Sequence, residues 1–531
     1  MSYGEVTAFG KTKSKKIYFC FVFLSLIRNF GHSNKSYQLS KQQNNMEIKE
    51  LNPQQVWRNF YALTQIPRPS GHTEQVANFL VDFAKKNGAE GFIDDAGNVV
   101  MRKAASPGYE DRATAVLQAH MDMVPQKVDE SKHDFVKDPI ETWIDGEWVR
   151  ARGTTLGADD GMGVAAAMAV IEDKTLEHGP LEVLITRDEE TGMFGAFNLK
   201  AGVLSGKYLL NLDSETEGEI TIGCAGGMDV ICTMEYQPLN IDSEGMEAYR
   251  ISMRGLRGGH SGLEINEGRA NGIKLMARLL FAAVNTELCR VCEWRGGNMR
   301  NAIPREGYAI VVCPKQKADE LKALVEKSRT MFNKEFEAVE GGNIELTIES
   351  CDMPTEAIPE EIQVNLINAV MAAQNGVMRM IPTIPHIVET SSNLAIINVA
   401  DGEAEIDILA RSSDDSMKLW LCNSLLACFS MAGMKVEFEG GYSGWQPNTK
   451  SPLVAEMSAV YERMFGEKPK VEVVHAGLEC GIIGVNYPEM DMASFGPTLR
   501  SPHTPDERCF IPSVEKFYNF ILEILKNIPK K

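Results

Sequence analysis

Basic residues are in short supply: 54 Lys and Arg stand against 73 Asp and Glu, a formal charge of −19 over 531 residues. Proteins that grip nucleic acid neutralise phosphates with Lys and Arg, and basic patches do the same for anionic lipid. Neither partner fits this chain. The apolar run Ile17–Leu26 is too short to cross a bilayer, which takes about 20 residues. No G-x-S-x-G elbow follows a strand-like run, which argues against a serine hydrolase. No G-x-x-x-x-G-K-[ST] loop is present either, which argues against nucleotide hydrolysis. Cysteine is scattered and odd in number, eleven in all, so no disulfide framework is legible. Cys289 and Cys292 form a C-x-x-C with no second pair at zinc-finger spacing. Cys224 and Cys480 lie near glycine in apolar stretches, where buried thiols are common. The expected compartment is a reducing cytoplasm.

What is present is an ordinary globular composition, 44% hydrophobic and 24% charged, with material for more than one core. The N-terminus mimics a signal segment, basic over Lys11–Lys16 and then apolar, but Arg28–Ser33 offers no small-x-small cleavage site. Met46 opens Met-Glu-Ile-Lys-Glu-Leu after a polar stretch. Residues 1–45 are therefore expected to lie outside the folded protein, with export as the alternative. A natural product whose N-terminal mass begins near Ser2 would overturn this expectation.

From Met46 the pattern alternates between helix and strand. Val76, Phe79, Leu80 and Phe83 recur at helical spacing between Thr73 and Gly88. Thr114–Ala119, Leu181–Thr186 and Tyr208–Leu212 are near-continuous apolar runs, as in strands covered on both faces. The alanine-rich Gly161–Glu172 reads as a helix. This is the pattern of an α/β domain. After Gly226-Gly227 the strands (Asp229–Glu235, Ala248–Arg254, Gly307–Cys313, Asn343–Glu349) alternate polar and apolar, with helices at Gly272–Val284 and Ala318–Phe332. The texture of the first domain resumes near Pro447. The expected organisation is a catalytic domain over 46–228 and 443–531, with an α+β lid inserted at 229–442.

The chemistry-bearing residues gather after the apolar runs, where open sheets bind ligands. His120-Met121-Asp122 follows the first of them. A histidine can offer a neutral imidazole to a metal, and an aspartate two residues on can reach its other nitrogen. Asp159 and Asp160 head the alanine-rich helix; a dipole or cap explains one carboxylate, but a buried pair calls for cations. Asp188-Glu189-Glu190 follows Leu181–Thr186, Asp213 ends the next strand, and Ser501-Pro502-His503 follows Met492–Phe495. Singly, each has a structural explanation. Together they form a nitrogen-and-carboxylate set without thiolate, suited to two zinc or manganese ions sharing a carboxylate and a water.

These segments, with Ile222–Gly227, Gly258-Gly259-His260-Ser261-Gly262 and His475–Gly481, resemble the aminoacylase/carboxypeptidase clan of di-zinc hydrolases. Within it they are most similar to the aminoacyl-histidine dipeptidases (Xaa-His dipeptidases, peptidase D), from Met46 to the C-terminus. One departure is Asp160, where some relatives carry Asn. The resemblance implies a zinc-peptidase-like catalytic domain with a mixed, mainly parallel sheet flanked by helices. It implies that His120 and Asp213 hold one metal, Glu190 and His503 the other, and that Asp159 bridges both. Asp122 would orient His120, Glu189 would be the general base, and a cis peptide would join Asp159 to Asp160. His260 would reach the scissile carbonyl oxygen, Arg411 the substrate carboxylate, and Gly477 would line the site through its backbone. For His260 a loop histidine, and for Arg411 a surface ion pair, are the structural alternatives.

The expected activity is metal-dependent hydrolysis of dipeptides, Xaa-His or broad Xaa-Xaa, with two Zn²⁺ ions, or Mn²⁺ or Co²⁺. An N-acyl amino-acid deacylase or tripeptidase, and a non-catalytic metal-binding relative, are the alternatives. The expected partner is a small peptide, and whether the chain forms a homodimer stays open.

Overall fold

A computed structural model describes residues 47–531; the expectation about residues 1–45 lies outside them. Two large sheets organise the chain. The first has eight strands in the order Glu90–Ile93, Val99–Lys103, Leu181–Thr186, Ala115–His120, Tyr208–Asn211, Asp491–Ser494, Glu219–Cys224 and Lys470–Val474. Its three middle pairings, from Leu181–Thr186 across to Asp491–Ser494, are parallel. The outer pairings include antiparallel ones, so the sheet is mixed with a parallel heart.

The period of two decides what each face meets. Leu117, Val183 and Leu210 point to one side, where the helix Ala158–Glu172 and the helices Gln54–Thr64 and Glu74–Lys86 share one core with them. Val116, Leu184 and Leu209 point to the other, into a core with Cys480, Ile483 and Met492 under the helix Glu479–Asn486. Both faces are dry, which is why these strands read as unbroken apolar runs. The His120 run is not the first strand. A short hairpin, Glu90–Ile93 with Val99–Lys103, precedes it at the sheet edge. Neither of its strands is an unbroken apolar run: one opens on the exposed Glu90 and holds Gly91, the other ends in Arg102-Lys103.

The second sheet has nine antiparallel strands, running from Glu345–Ser350 at one edge to Lys435–Tyr442 at the other. Its strand Gly226–Glu235 begins directly after Glu219–Cys224 of the first sheet. Helices Gly272–Asn285, Ala318–Glu335, Glu360–Ala372 and Asp415–Met431 cover one face and build a separate core around Leu280, Val311, Phe332 and Phe429. The alternation seen in its strands follows from the single covered face. A small four-stranded sheet joins Leu499–Arg500 and Arg508–Phe510 to Trp148–Ala151 and Thr142–Asp145. It carries the loop 501–507 toward the loop 152–157. All cysteines of the described residues are free thiols, and burial pushes Cys289 and Cys292 up to about 12. That is the behaviour of packing residues, not of ligands.

Candidate metal centre

His120 is the last residue of its strand and is buried. Its Nε2 lies 3.1 Å from Asp159 Oδ1 and 3.5 Å from Asp213 Oδ1. Its Nδ1 lies 3.5 Å from Asp122 Oδ1. His503 approaches from the opposite side, with Nε2 3.1 Å from Asp159 Oδ2 and 3.0 Å from Glu190 Oε2. The two oxygens of Asp159 thus face two different imidazoles. Ligand atoms of His120, Asp159 and Glu190 all fall within 4.8 Å of one another.

Several local features aim these groups. The residues Asp159 and Asp160 are joined by a cis peptide, as expected, and have non-helical backbone ahead of the regular helix. Asp160 caps that helix: its Oδ1 accepts from Gly163 N at 3.1 Å and its Oδ2 from His120 N at 3.3 Å. Asp160 thus serves the backbone, while Asp159 faces the imidazoles. Among the three consecutive carboxylates, Asp188 does not join the centre. It adopts φ 51° and accepts from Gly71 N at 2.6 Å and Arg187 Nε at 2.7 Å. Asp122 accepts from Ser70 Oγ at 2.7 Å, Glu189 N at 3.0 Å and Glu190 N at 3.2 Å. One carboxylate therefore holds the turn that presents Glu189 and Glu190 and faces His120 Nδ1, a buried nitrogen with no hydrogen-bond partner among the described residues.

Two buried groups that sequence reasoning missed hold the loops together. Glu507 accepts from the amides of Leu156, Gly157, Ala158 and Asp159 at 2.7–3.3 Å. Arg68 donates to the carbonyls of Met121, Asp122 and Gly157 at 2.5–3.1 Å. Glu507 stands four residues after His503 and Arg68 lies in Ile-Pro-Arg-Pro-Ser-Gly; nothing in either local pattern points across 350 or 89 residues of chain.

The electrostatics favour a cation. Burial, with Asp213, Glu479 and Glu190 nearby, pushes Glu189 well above the usual carboxylate range, against the pull of His120. Burial raises Asp213 to about 6, again with His120 opposing. Contacts with Asp159 and Glu190 raise His503 to about 11. Glu190 Oε1 is buried with no hydrogen-bond partner among the described residues. So many carboxylates around two imidazoles, with an unused buried oxygen, fit divalent metal.

The lid contributes a second cluster. Arg411 is 5% exposed, donates from Nη1 to Tyr442 Oη at 3.0 Å, and leaves Nε without a partner. The surface ion pair considered for it is thereby excluded. His260 Nδ1 accepts from the amides of Gly262 and Leu263 at 3.2 and 3.1 Å, which leaves the hydrogen on Nε2. Burial and the Arg411 charge lower its pKa, so the ring is a neutral donor. The same two causes drop His475 to about 3; its Nε2 meets Ser391 Oγ at 2.7 Å. Gly477 packs against Tyr442 and Met193, where an added Cβ would lie 3.1 Å from each side chain.

The sequence pattern described as peptidase family M20/M25/M40 matches residues 116–527. The chain belongs to this family. Among its relatives is the cytosol non-specific dipeptidase of Escherichia coli (strain K12), 43% identical over 489 residues, covering 91% of this chain and 100% of that protein. Aminoacylhistidine dipeptidase from Vibrio alginolyticus superposes with a TM-score of 0.86 at 42% identity, covering 92% of this chain and 100% of that one. A tripeptidase from Staphylococcus aureus reaches a TM-score of 0.52 at 16% identity, over 90% and 99% of the chains, and shows the fold alone. The chain is an M20 peptidase with the family's catalytic domain and lid. No helix of the described residues is long and apolar enough to cross a membrane.

Proposed function

We propose that this M20 peptidase is a two-metal dipeptidase, with zinc as the expected metal. The observation that carries the reading is that His120 and His503 face opposite oxygens of Asp159, at 3.1 Å each. Asp159, His120 and Asp213 would hold one ion, and Asp159, His503 and Glu190 the other. Bound there, divalent metal would supply Lewis-acid chemistry, lowering the pKa of a water and polarising the scissile carbonyl.

The chain's own residues do the rest. Glu189, presented beside the ligand Glu190 by the turn whose amides Asp122 accepts from, would as a carboxylate take the proton from the attacking water and pass it to the leaving amine. Asp122 accepts from the amides of Glu189 and Glu190 and, 3.5 Å from His120 Nδ1, would orient that ring. His260, neutral with its hydrogen on Nε2, donates to the oxygen on which negative charge develops. Arg411, buried and with no ion pair among the described residues, takes the C-terminal carboxylate of the peptide. Gly477, close-packed on Tyr442 and Met193, would line the substrate site through its backbone. The reading extends to a cytosolic enzyme, supported by the free thiols; recovery of the native protein from the culture medium would refute that part.

The test is hydrolysis of β-alanyl-His and a panel of simple dipeptides, with and without chelator, for wild type and Glu189→Ala. Activity should require metal and fall by roughly 10²- to 10⁴-fold in Glu189→Ala, while the variant still binds two metals. A metal-loaded wild type that cleaves acylated amino acids or tripeptides and no dipeptide would refute the dipeptidase reading.

A further inference from the structure

Four strands of the first sheet carry a polar residue just before the segment that reaches the metal centre. Gln118 precedes His120 by two, Asn211 precedes Asp213 by two, and Thr186 precedes Glu189 by three. Ser494 ends the strand that feeds the His503 loop. Gln118 and Asn211 are register partners, as are Asn211 and Ser494, and His120 and Thr186. By the period of two, Gln118 and His120 share one face of the sheet. That face is the one under the helix Glu479–Asn486.

Glu479, the first residue of that helix, is 0% exposed and reaches into this row. Its Oε2 lies 2.6 Å from Gln118 Nε2 and 2.6 Å from Thr186 Oγ1. Asn211 Nδ2 continues the row, donating to Gln118 Oε1 at 2.5 Å. Ser494 Oγ donates to Asn211 Oδ1, and the Ser214 and Ser494 hydroxyls meet at 2.7 Å. A continuous chain of hydrogen bonds thus runs across all four ligand-bearing strands, from Thr186 to Ser214. A buried polar group costs free energy unless it is paired, so each link constrains its neighbours.

We propose that Glu479 is a positioning residue, the clamp that sets the spacing of the strand ends carrying His120, Asp213 and the Glu189-Glu190 turn. Proton placement agrees with the clamp. Thr186 Oγ1 lies 2.6 Å from Glu479 Oε2 and 3.1 Å from the Ala119 carbonyl, and it has one hydrogen for both. A neutral Glu479 resolves this: its hydroxyl donates to Thr186, which donates to Ala119. Burial holds the Glu479 carboxyl at about 8, in keeping with a neutral acid. The inference rests on the assignment of His120, Asp213 and Glu190 as ligands and Glu189 as base.

The experiment compares wild type, Glu479→Ala, Glu479→Gln and Thr186→Val, all metal-loaded. It reads kcat and KM separately, metal affinity by chelator competition, and thermal stability. In Glu479→Ala, kcat or metal affinity should fall roughly 10- to 100-fold, the usual effect of losing a group that orients metal ligands, with KM little changed. Glu479→Gln, which keeps the shape and neutrality but offers no single atom that both accepts from Gln118 and donates to Thr186, should recover part of the loss. Glu479→Ala with kcat and metal affinity within about twofold of wild type would overturn the proposal. So would a defect confined to thermal stability. If Glu479→Ala does not fold, Thr186→Val decides: a fall in kcat at constant KM supports the clamp, and an unchanged kcat overturns it. Metal-independent wild-type activity would instead sink the ligand assignment on which the clamp depends.

Discussion

Arg411 offers the sharpest test of how substrate is held. The residue is 5% exposed, its guanidinium donates to Tyr442, and Nε has no partner among the described residues. A buried cation in this state is costly unless an anion completes it, and the C-terminal carboxylate of a peptide is the anion the proposed reaction supplies. Replacing Arg411 by Met removes the charge at similar length. Breaking one partner out of a buried pair costs about 3–5 kcal/mol, or roughly 100- to 4,000-fold in kcat/KM. The loss applies only to substrates with a free carboxylate. The assay therefore pairs each dipeptide with its C-terminal amide, on wild type and on Arg411→Met. Wild type should prefer the free acid strongly, and the variant should lose that preference while its activity on the amide stays close to wild type. The melting temperature should hold or rise, because a buried charge without a counter-ion has gone. An acid-to-amide ratio that is the same in both proteins would refute the argument.

His260→Ala should lower kcat by about 10²- to 10³-fold with KM changed little, since its donor acts where charge develops; a pure KM effect in steady-state kinetics would contradict that role. Asp122→Asn should weaken metal binding roughly 10- to 100-fold, read by chelator competition, because Asp122 holds His120 and two amides of the Glu189-Glu190 turn; unchanged affinity would refute it. Metal uptake should release protons. His503 sits at about 11 in the metal-free protein, held there by Asp159 and Glu190, so at pH 7 its ring is protonated and must lose a proton to bind metal. Affinity should therefore fall as pH falls, by about tenfold per pH unit for each proton released. Calorimetry in two buffers of different ionisation enthalpy measures the release, and a value of zero would refute it.

The four central strands were legible because both faces of a parallel heart are dry, and His120 and Asp213 stand out as polar side chains at the ends of apolar runs. The separate character of the lid was legible for the complementary reason: its sheet is covered on one face, so its strands alternate. The edge hairpin Glu90–Lys103 was not legible, because Glu90-Gly91-Phe92-Ile93 mixes exposed and buried positions and Val99–Lys103 ends in Arg102-Lys103, so neither strand gives an unbroken apolar run. Gln118, Asn211, Thr186 and Ser494 were a signal left unread, polar residues interrupting apolar strands at one level of the sheet.

Residue type alone determined which atoms could serve a metal: imidazole nitrogens and carboxylate oxygens at the ends of strands. Tertiary structure decided which of them face one another. Among Asp188, Glu189 and Glu190, three identical charges in a row, φ 51° at Asp188 turns the first toward Gly71 and Arg187. Glu507 and Glu479 are unremarkable glutamates in their local segments. One becomes the cap of the Asp159 loop and the other the clamp under His120 only when strands and loops hundreds of residues apart close around them. A pattern along the chain reports which face of an element will be buried, but a hydrogen bond across the sheet depends on distances that exist only once the sheet has formed.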